Sequence, residues 1–335
     1  GKHLIEKAHF KGIRITTIFS PEHGFKGMAG AGEAVADGIE PLTGAPIYSL
    51  YGKQKKPTSE MLKNLDILVF DMQDIGVRYY TYLSTLTNIL EAASKYRIPV
   101  LVLDRMNPLG REVEGPILEE KFKSFVGMHP IPVRHGMTTG EIALFIKENK
   151  LIKSADKLKL HIVKGGGSRI GYSHGENRCG PSFEQTSPNI PHLDNALMYT
   201  GTCLLEGTNI SEGRGTNSPF MLFGAPWLDS KKIIKELEKY NFEEVRFISV
   251  SFIPDKSKYK NVECNGIRIT INQYEKELRP AGTSRYSKYY SKVNPFRIGV
   301  AIIDEIYKAH PNHFEFKADF LDKLYGSSDL RLAIL

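Results

Sequence analysis

The sequence lacks several features that would assign it to a class at once. Its 335 residues include only three cysteines, Cys179, Cys203 and Cys264, and none of them forms a C-x-x-C pair. Paired-cysteine zinc sites and redox motifs are therefore not indicated, and an odd count is not a disulfide framework. No stretch approaches 18 consecutive apolar residues, so no membrane span is expected.

Common catalytic and nucleotide-binding signatures are also missing. The glycines of GMAGAGEA have the wrong spacing for a dinucleotide-binding fingerprint, and neither G-x-x-x-x-G-K-[ST] nor H-E-x-x-H occurs. The serine-hydrolase elbow G-x-S-x-G is absent as well. The net charge of +7 is spread along the chain without a nucleic-acid-binding motif. The sequence therefore indicates no nucleic-acid partner and no cofactor.

The start of the chain, GKHLIEKAHFKGIRI, has no signal-peptide pattern and reads as a helix already under way. We therefore expect a leader to be missing from this start. Its absence decides nothing about the compartment in which the protein works.

The first half of the chain alternates short Val/Ile/Leu-rich runs with helical patterns. Such runs are typical of strands buried on both faces, and they occupy residues 14–19, 66–71, 99–104, 129–134 and 158–164. YLSTLTNILEAASKY has apolar residues at helical spacing. MTTGEIALFIKENK begins with Thr138 and Glu141 spaced as a capping box. Strand–helix–strand alternation predicts an α/β fold with a parallel, doubly wound sheet.

The rest of the chain has a different pattern. Residues 165–229 are rich in Gly, Pro, Asn and Ser and show little periodicity, so we expect long loops there, with a functional reason for them. Regular elements return in the last third. The sequence predicts helices at 230–240, 297–309 and 316–325, and strands at 245–252 and 267–272.

Ionisable and amide side chains follow four of the predicted strands. Ligands bind outside the carboxyl ends of parallel strands, which meet at one edge of a sheet. This predicts an active-site rim of Glu22, His23, Asp71, Gln73, Asp74, Arg78, Asp104, Arg105, Asn107, Arg134 and His135. The glycine-rich loop EGTNISEGRGT adds Glu206, Asn209, Glu212 and Arg214.

Some of these side chains also have a purely structural interpretation. Asp71 and Asp104 stand at the last strand positions, where a carboxylate can bind loop amides. Arg78 can pack its stem against the neighbouring tyrosines, or it can bind a ligand carboxylate through two hydrogen bonds. The capping box already accounts for Glu141.

Six segments resemble, in order, the motif series of the NamZ-type exo-β-N-acetylmuramidases, glycoside hydrolase family 171. They are FSPEHGFKG, DMQDIGVRYYTY, DRMNPLG, VRHGMTTGE, SPNIP and EGTNISEGRGTNSPFMLFGAPW. The tail FLDKLYGSSDLR is also similar, so the resemblance covers nearly the whole chain. Two departures are the missing first strand with its TNHTG-like turn and the segment GGGSRIGYSHGENRCG.

The resemblance implies a Rossmann-like, mostly parallel sheet domain over 1–165, a smaller α+β C-terminal domain over 166–335, and an active-site cleft between them. It implies removal of N-acetylmuramic acid from the non-reducing ends of peptidoglycan fragments. It also implies a bacterial enzyme of cell-wall recycling that is periplasmic or secreted.

The resemblance and the chemistry together make Glu22 the expected general acid, because glycoside hydrolysis needs a carboxylic acid to protonate the leaving oxygen. We expect His23 to orient it. The second catalytic group stays open among Glu212, Glu206, Asp71, Asp74, a tyrosine and the acetamide of the substrate. The lactyl carboxylate of muramic acid needs a cation, for which the candidates are Arg78, Arg134 and Arg214. Further substrate contacts are expected from the matched motifs, at Tyr79 and Asn189.

Two other functions remain open. A metal-dependent hydrolase would use Glu22, His23, Asp71, Asp74 and His135, although their spacing matches no known ligand signature. A non-catalytic protein that binds cell-wall sugars would use the same cleft. Clustered carboxylates favour an enzyme, because a binding protein would present mostly neutral amides and aromatic rings.

Overall fold

A computed structural model describes residues 3–30, 32–33, 35–164, 183, 185–272 and 292–335. The segment GGGSRIGYSHGENRCG, and Cys179 within it, lies outside the described residues. Within the described part of the chain, no helix is long and apolar enough to cross a membrane.

The N-terminal half contains two small sheets. Its elements are α1 (Leu4–Phe10), β1 (Ile18–Ser20), β2 (Gly38–Ile39), β3 (Pro46–Ser49), β4 (Leu68–Phe70), α2 (Tyr82–Tyr96), β5 (Val100–Leu103), α3 (Thr139–Glu148) and β6 (Leu160–Val163). In the first sheet β1 pairs parallel with β3, and β2 pairs antiparallel with β3. In the second sheet β4, β5 and β6 are parallel, in that order. The predicted α/β class and mostly parallel sheet are confirmed.

Local signals explain the two long helices of this half. In α2, Leu86, Leu90 and Ala93 are buried against the second sheet, and Arg97 ends the helix in the left-handed conformation. In α3, the Thr138 hydroxyl accepts the backbone N–H of Glu141, whose carboxylate accepts the N–H of Thr138. The predicted capping box is confirmed.

The predicted strand at 129–134 is wrong. Among the described residues this segment forms only isolated bridges, from Arg134 to Val77 and to Glu114. Pro130 and Pro132 supply no backbone N–H, so a regular ladder cannot form there.

The C-terminal half is built on an antiparallel sheet. Its elements are α4 (Leu193–Thr202), β7 (Leu222–Ala225), α5 (Ser230–Leu237), β8 (Val245–Phe252), β9 (Cys264–Ile271), α6 (Pro295–Ala309), α7 (Ala318–Tyr325) and α8 (Asp329–Ile334). The sheet order is β7-β9-β8. Single 3₁₀ turns occupy Glu120–Phe122, Ala155–Lys157, Cys203–Gly207 and Glu238–Tyr240.

Helix α4 lies in the segment predicted to be irregular, so that prediction is wrong at this point. Nine of its ten residues are buried, which leaves no polar face to produce a helical period. The helix packs closely on α6, where Gly201 meets Gly299. A Cβ on Gly201 would lie 1.8 Å from the carbonyl oxygen of Pro295, so only glycine allows this crossing.

Candidate active site

A cavity of about 960 Å³ lies between the two halves of the chain. The N-terminal half lines it with the loop after β1, the loop after β3 and the turn before α2. The C-terminal half lines it with residues of 187–220, with the loop between β8 and β9, and with α7. The lining includes seven of the residues predicted from the sequence: Glu22, His23, Tyr79, Asn189, Glu206, Glu212 and Arg214.

Glu22 is held in the cavity wall by donors from three separate segments. It follows β1 after one proline and is only 8% exposed. Its Oε2 accepts the Thr81 hydroxyl at 2.7 Å, and its Oε1 accepts the Gly32 N–H at 3.1 Å. Burial, together with the charge of Glu22 and a hydrogen bond to it, raises the pKa of Tyr51 to about 12. The carboxyl group is therefore buried, oriented and surrounded by hydroxyls.

The His23 side chain bonds to the loop after β1 and not to the carboxyl group of Glu22. His23 has a backbone φ of 73°, and its Nδ1 lies 2.9 Å from the carbonyl oxygen of Ala29, to which a neutral ring donates its proton. Burial lowers the pKa of His23, so the ring is neutral near pH 7. The ring stacks on Tyr80 with centroids 6.4 Å apart. His23 thus fixes the shape of the loop that carries Glu22.

The opposite wall contains a network of two carboxylates and two cations, of which Glu212 is buried and the other three are half-buried. Arg214 donates to Glu206 at 2.7 Å and lies 3.3 Å from Oε1 of Glu212. Burial disfavours its charged form, but the two carboxylates more than offset this and raise the pKa of Arg214. Lys258 donates to the carbonyl oxygens of Leu205 and Ile210. Arg214 therefore already has two carboxylate partners within the protein, Glu206 and Glu212.

The Lys258 ammonium also lies 3.0 Å from Oε2 of Glu212. This oxygen has no hydrogen bond from any described residue, so the contact is an ion pair whose angles fall outside those of a hydrogen bond. Glu212 is 2% exposed and therefore sits as a buried carboxylate between two cations. Burial lowers the pKa of Lys258, and Glu212 offsets part of that effect.

Aromatic rings form the floor between these two walls. Tyr79 meets Tyr199 edge-on at 5.3 Å, and Tyr199 meets Phe220 at 4.7 Å. The Tyr79 hydroxyl donates to the carbonyl oxygens of Tyr199 and Thr200. Tyr79 lines the cavity but is only 1% exposed, so its ring supports the floor and its hydroxyl is used within the protein.

Two family models cover the chain. The N-terminal domain of exo-beta-N-acetylmuramidase NamZ matches residues 1–194, and the C-terminal domain matches residues 197–335. The chain belongs to the NamZ family. The two models meet between residues 194 and 197, and the domain boundary predicted at 165/166 stays a prediction.

Relatives with this architecture are known in sequence and in structure. The chain is 42% identical over 325 residues to the peptidoglycan beta-N-acetylmuramidase NamZ of Bacillus subtilis (strain 168), covering 96% of this chain and 73% of that protein. It resembles crystal structures of two DUF1343 family proteins of Bacteroides fragilis NCTC 9343, each 30% identical. The TM-scores are 0.81 and 0.72, with 99% of this chain and 82% and 81% of theirs covered.

Other predicted residues of this NamZ family member lie away from the cavity lining. Arg78 is 2% exposed, and its terminal nitrogens donate to four backbone carbonyls, those of Pro116, Ile131, Leu324 and Tyr325. Arg134 is fully buried and bonds to Glu114, Glu112 and the carbonyl of Leu109. Neither guanidinium reaches the cavity, because both hold the backbone together.

The strand-end side chains likewise bind nearby loops. Asp71 pairs with Arg105 at 2.6 Å. Asp104 accepts the Thr138 hydroxyl and the Gly140 N–H, and so anchors the start of α3. The remaining five residues of the predicted set also make hydrogen bonds to the backbone. The Gln73 amide donates to the carbonyls of Asp74 and Met106, and the Asn107 and Asn209 amides donate to the carbonyls of Met137 and His313. Asp74 accepts the Gly76 N–H, and His135 accepts the Met137 N–H.

The predicted rim is therefore two sets of residues. Glu22 and His23 follow β1, whereas the other rim residues follow strands of the second sheet or the segment 129–134, and the two sheets do not pair within the described residues. In that part of the chain, no three His, Cys, Asp or Glu side chains are grouped so that they could hold a metal ion.

Sequence reasoning missed several cavity residues. Thr81 and Tyr80 lie inside the motif DMQDIGVRYYTY, so the resemblance had marked their segment but not their roles. Tyr51 follows β3, a strand that was not predicted. Nothing in the local sequence marked the lysines of the lining, Lys55, Lys256, Lys258 and Lys317.

Proposed function

We propose that this protein is an exo-acting glycoside hydrolase that releases N-acetylmuramic acid from the non-reducing ends of peptidoglycan fragments. The observation that carries the proposal is the buried, triply held carboxyl of Glu22 on a cavity of saccharide size. Membership of the NamZ family supports it, as does the 42% identity to an enzyme named for this activity.

Glu22 is the general acid in this proposal. The leaving oxygen of a glycoside needs a proton as the bond breaks, and a positioned carboxylic acid supplies it. The hydroxyls of Thr81 and Tyr51 can donate to a carboxylate or accept from a carboxylic acid, so they orient Glu22 in both protonation states. His23 acts indirectly, because its contact with Ala29 shapes the loop that carries Glu22.

Glu212 is the second carboxyl in this proposal. Of the carboxylates predicted for that role, Glu206 and Glu212 line the cavity, whereas Asp71 and Asp74 do not. Glu206 is engaged by Arg214 through a hydrogen bond. Glu212 has one oxygen without a hydrogen bond from any described residue, and it lies 3.3 Å from Arg214 and 3.0 Å from Lys258. A carboxylate here stabilises the positive charge that develops on the sugar ring.

The role of Glu212 is tested by Glu212→Gln, with Asp71→Asn as the matched control outside the cavity. We expect Glu212→Gln to lower kcat by about 10²-fold or more, since it removes one of two catalytic carboxyls. Asp71→Asn should keep kcat within about threefold, because it weakens only a partly exposed ion pair. Equal losses in both variants, or none in Glu212→Gln, would exclude Glu212 from the chemistry.

The function itself is tested by p-nitrophenol release from p-nitrophenyl N-acetylmuramide and from the corresponding N-acetylglucosaminide. We expect turnover of the muramide, little turnover of the glucosaminide, and no effect of a chelator. Loss of activity with chelator would favour a metal-dependent hydrolase. Binding of muramyl ligands without any turnover would favour a sugar-binding protein.

We further propose that the protein is a bacterial enzyme of cell-wall recycling that acts in the periplasm or outside the cell. The support is chemical, because peptidoglycan lies outside the cytoplasmic membrane. Fractionation of the source cells, followed by immunodetection, tests the location, and recovery in the cytoplasm would contradict it.

A further inference from the structure

Three lysines of the cavity lining have no carboxylate partner among the described residues. One of them, Lys55, belongs to the N-terminal wall and lies over the Phe125 ring at 4.6 Å. The other two, Lys256 in the loop between β8 and β9 and Lys317 immediately before α7, are exposed and line the cavity. Among the described residues neither side chain forms an ion pair or a hydrogen bond. Arg214 and Lys258, two half-buried cations of the same cavity, are already engaged by Glu206 and Glu212.

The backbone fixes both lysines in this place. The N–H of Asp255 donates to the Gly215 carbonyl at 2.8 Å. The chain packs closely here, since a Cβ on Gly215 would lie 2.6 Å from the backbone nitrogen of Lys256. The N–H of Lys317 donates to the Gly207 carbonyl, also at 2.8 Å. Because both anchors are glycines of the loop segment that carries Arg214, the cations are held on one wall of the cavity.

Lys317 adds its positive charge to that of the neighbouring Lys258. Burial lowers the pKa of Lys258, and the positive charge of Lys317 lowers it further, which places the two ammonium groups within each other's field. Like charges gathered at a cavity mouth raise the local concentration of anions. A ligand carboxylate bound by Lys317 would offset its repulsion with Lys258, and Lys256 is a second exposed cation of the same lining.

We propose that Lys256 and Lys317 bind the lactyl carboxylate of the N-acetylmuramic acid residue in the cavity. The inference rests on the proposed function and names the residues that select muramic acid over glucosamine, since the lactyl ether is the difference between the two sugars. It assigns to two lysines the role that the sequence gave to Arg78, Arg134 or Arg214, of which only Arg214 reaches the cavity.

The test compares Lys256→Met, Lys317→Met and the double variant with wild type. Lys231→Met is the control, because Lys231 is an exposed lysine of α5 that does not line the cavity. Calorimetry measures the affinity for N-acetylmuramic acid, for its lactyl amide and for N-acetylglucosamine. Steady-state kinetics with p-nitrophenyl N-acetylmuramide separates KM from kcat.

We expect each single variant to weaken N-acetylmuramic acid binding and raise KM about fivefold, the upper range for an exposed ion pair, and the double variant roughly 25-fold. Affinity for the lactyl amide and for N-acetylglucosamine should stay unchanged, and kcat should change little. Added salt should weaken N-acetylmuramic acid binding to wild type more than to the double variant.

Two outcomes overturn the inference, and both differ from failure of the proposed function. If wild type hydrolyses the muramide and the double variant keeps its affinity for N-acetylmuramic acid, the lysines do not bind the carboxylate. If the double variant loses affinity equally for the acid and the amide, the lysines shape the cavity without recognising charge. Failure of the proposed function would instead appear as wild type without turnover of the muramide.

Discussion

Arg78 gives the sharpest contrast between a ligand clamp and a structural residue. Its guanidinium lies 2.7 to 2.9 Å from four carbonyl oxygens, two in the N-terminal half and two at the end of α7. Replacing it in Arg78→Met keeps an apolar stem but removes all four donors. The side chain thus ties residues on both sides of the cavity together.

The expected loss of stability follows from those carbonyls. A buried acceptor left without its donor costs at least about 1 kcal/mol, so four of them cost about 4 kcal/mol. That is a large part of the 5–15 kcal/mol typical of a folded domain. For a chain of this length, it corresponds to a fall in Tm of roughly 6 °C.

Thermal unfolding and steady-state kinetics together decide between the two roles. We expect Arg78→Met to unfold earlier, while the folded fraction keeps the wild-type KM for a muramide substrate. Arg105→Met is the control, since its ion pair with Asp71 is partly exposed and should matter little to Tm. An unchanged Tm with a raised KM for Arg78→Met would refute the structural role and restore the clamp.

Two further predictions concern the support of the site and the response of the fold to acid. Thr81→Val removes a 2.7 Å hydrogen bond to Glu22 and should lower kcat about tenfold on a natural disaccharide fragment, whose leaving oxygen needs the proton. His129 is buried beside the Thr87 hydroxyl, and burial lowers its pKa from 6.5 to about 4. Because the unfolded state then binds the proton more tightly, this contribution to stability is complete above pH 6.5. It is lost as the pH falls towards 4, by about 3 kcal/mol, which urea unfolding at several pH values would measure.

Each of these predictions has a matched control. Thr85→Val makes the same change in the first turn of α2, but the Thr85 hydroxyl bonds to the carbonyl of Thr81, so kcat should hold. Equal kcat values in the Thr81 and Thr85 variants would remove the support proposed for Glu22. In His129→Gln, the free energy of unfolding should fall by about 3 kcal/mol less between pH 6.5 and 4 than in wild type. An unchanged pH dependence would assign the effect to other groups.

The elements that sequence could predict are those whose signals are local. Helix α2 shows an apolar period, α3 shows a capping box, and β8 is an uninterrupted run that starts and ends where predicted. Helix α4 was missed because burial on all sides removes the period. The segment 129–134 has strand-like composition, but its prolines prevent pairing.

The site was predictable only where one segment carries it. Glu22 and His23 adjoin in the segment that follows β1, and both line the cavity. The expectation that the carboxyl ends of all the strands meet at one edge wrongly added the residues that follow the second sheet. Strands β1 and β4 belong to different sheets, so their ends need not lie together. The positions of Thr81 and Lys317 beside Glu22 and Lys258 arise from long-range packing, which no local pattern encodes.

The proposed activity depends most on Glu22 as the general acid. The direct measurement is kcat for p-nitrophenyl N-acetylmuramide and for a natural disaccharide fragment, in wild type and in Glu22→Gln, with Tm as the check on folding. p-Nitrophenolate leaves readily without a proton, whereas a sugar hydroxyl does not. We predict a loss of about 10²- to 10⁴-fold on the disaccharide, a smaller loss on the p-nitrophenyl substrate, and little change in Tm. Wild-type rates on the disaccharide in Glu22→Gln would contradict the account.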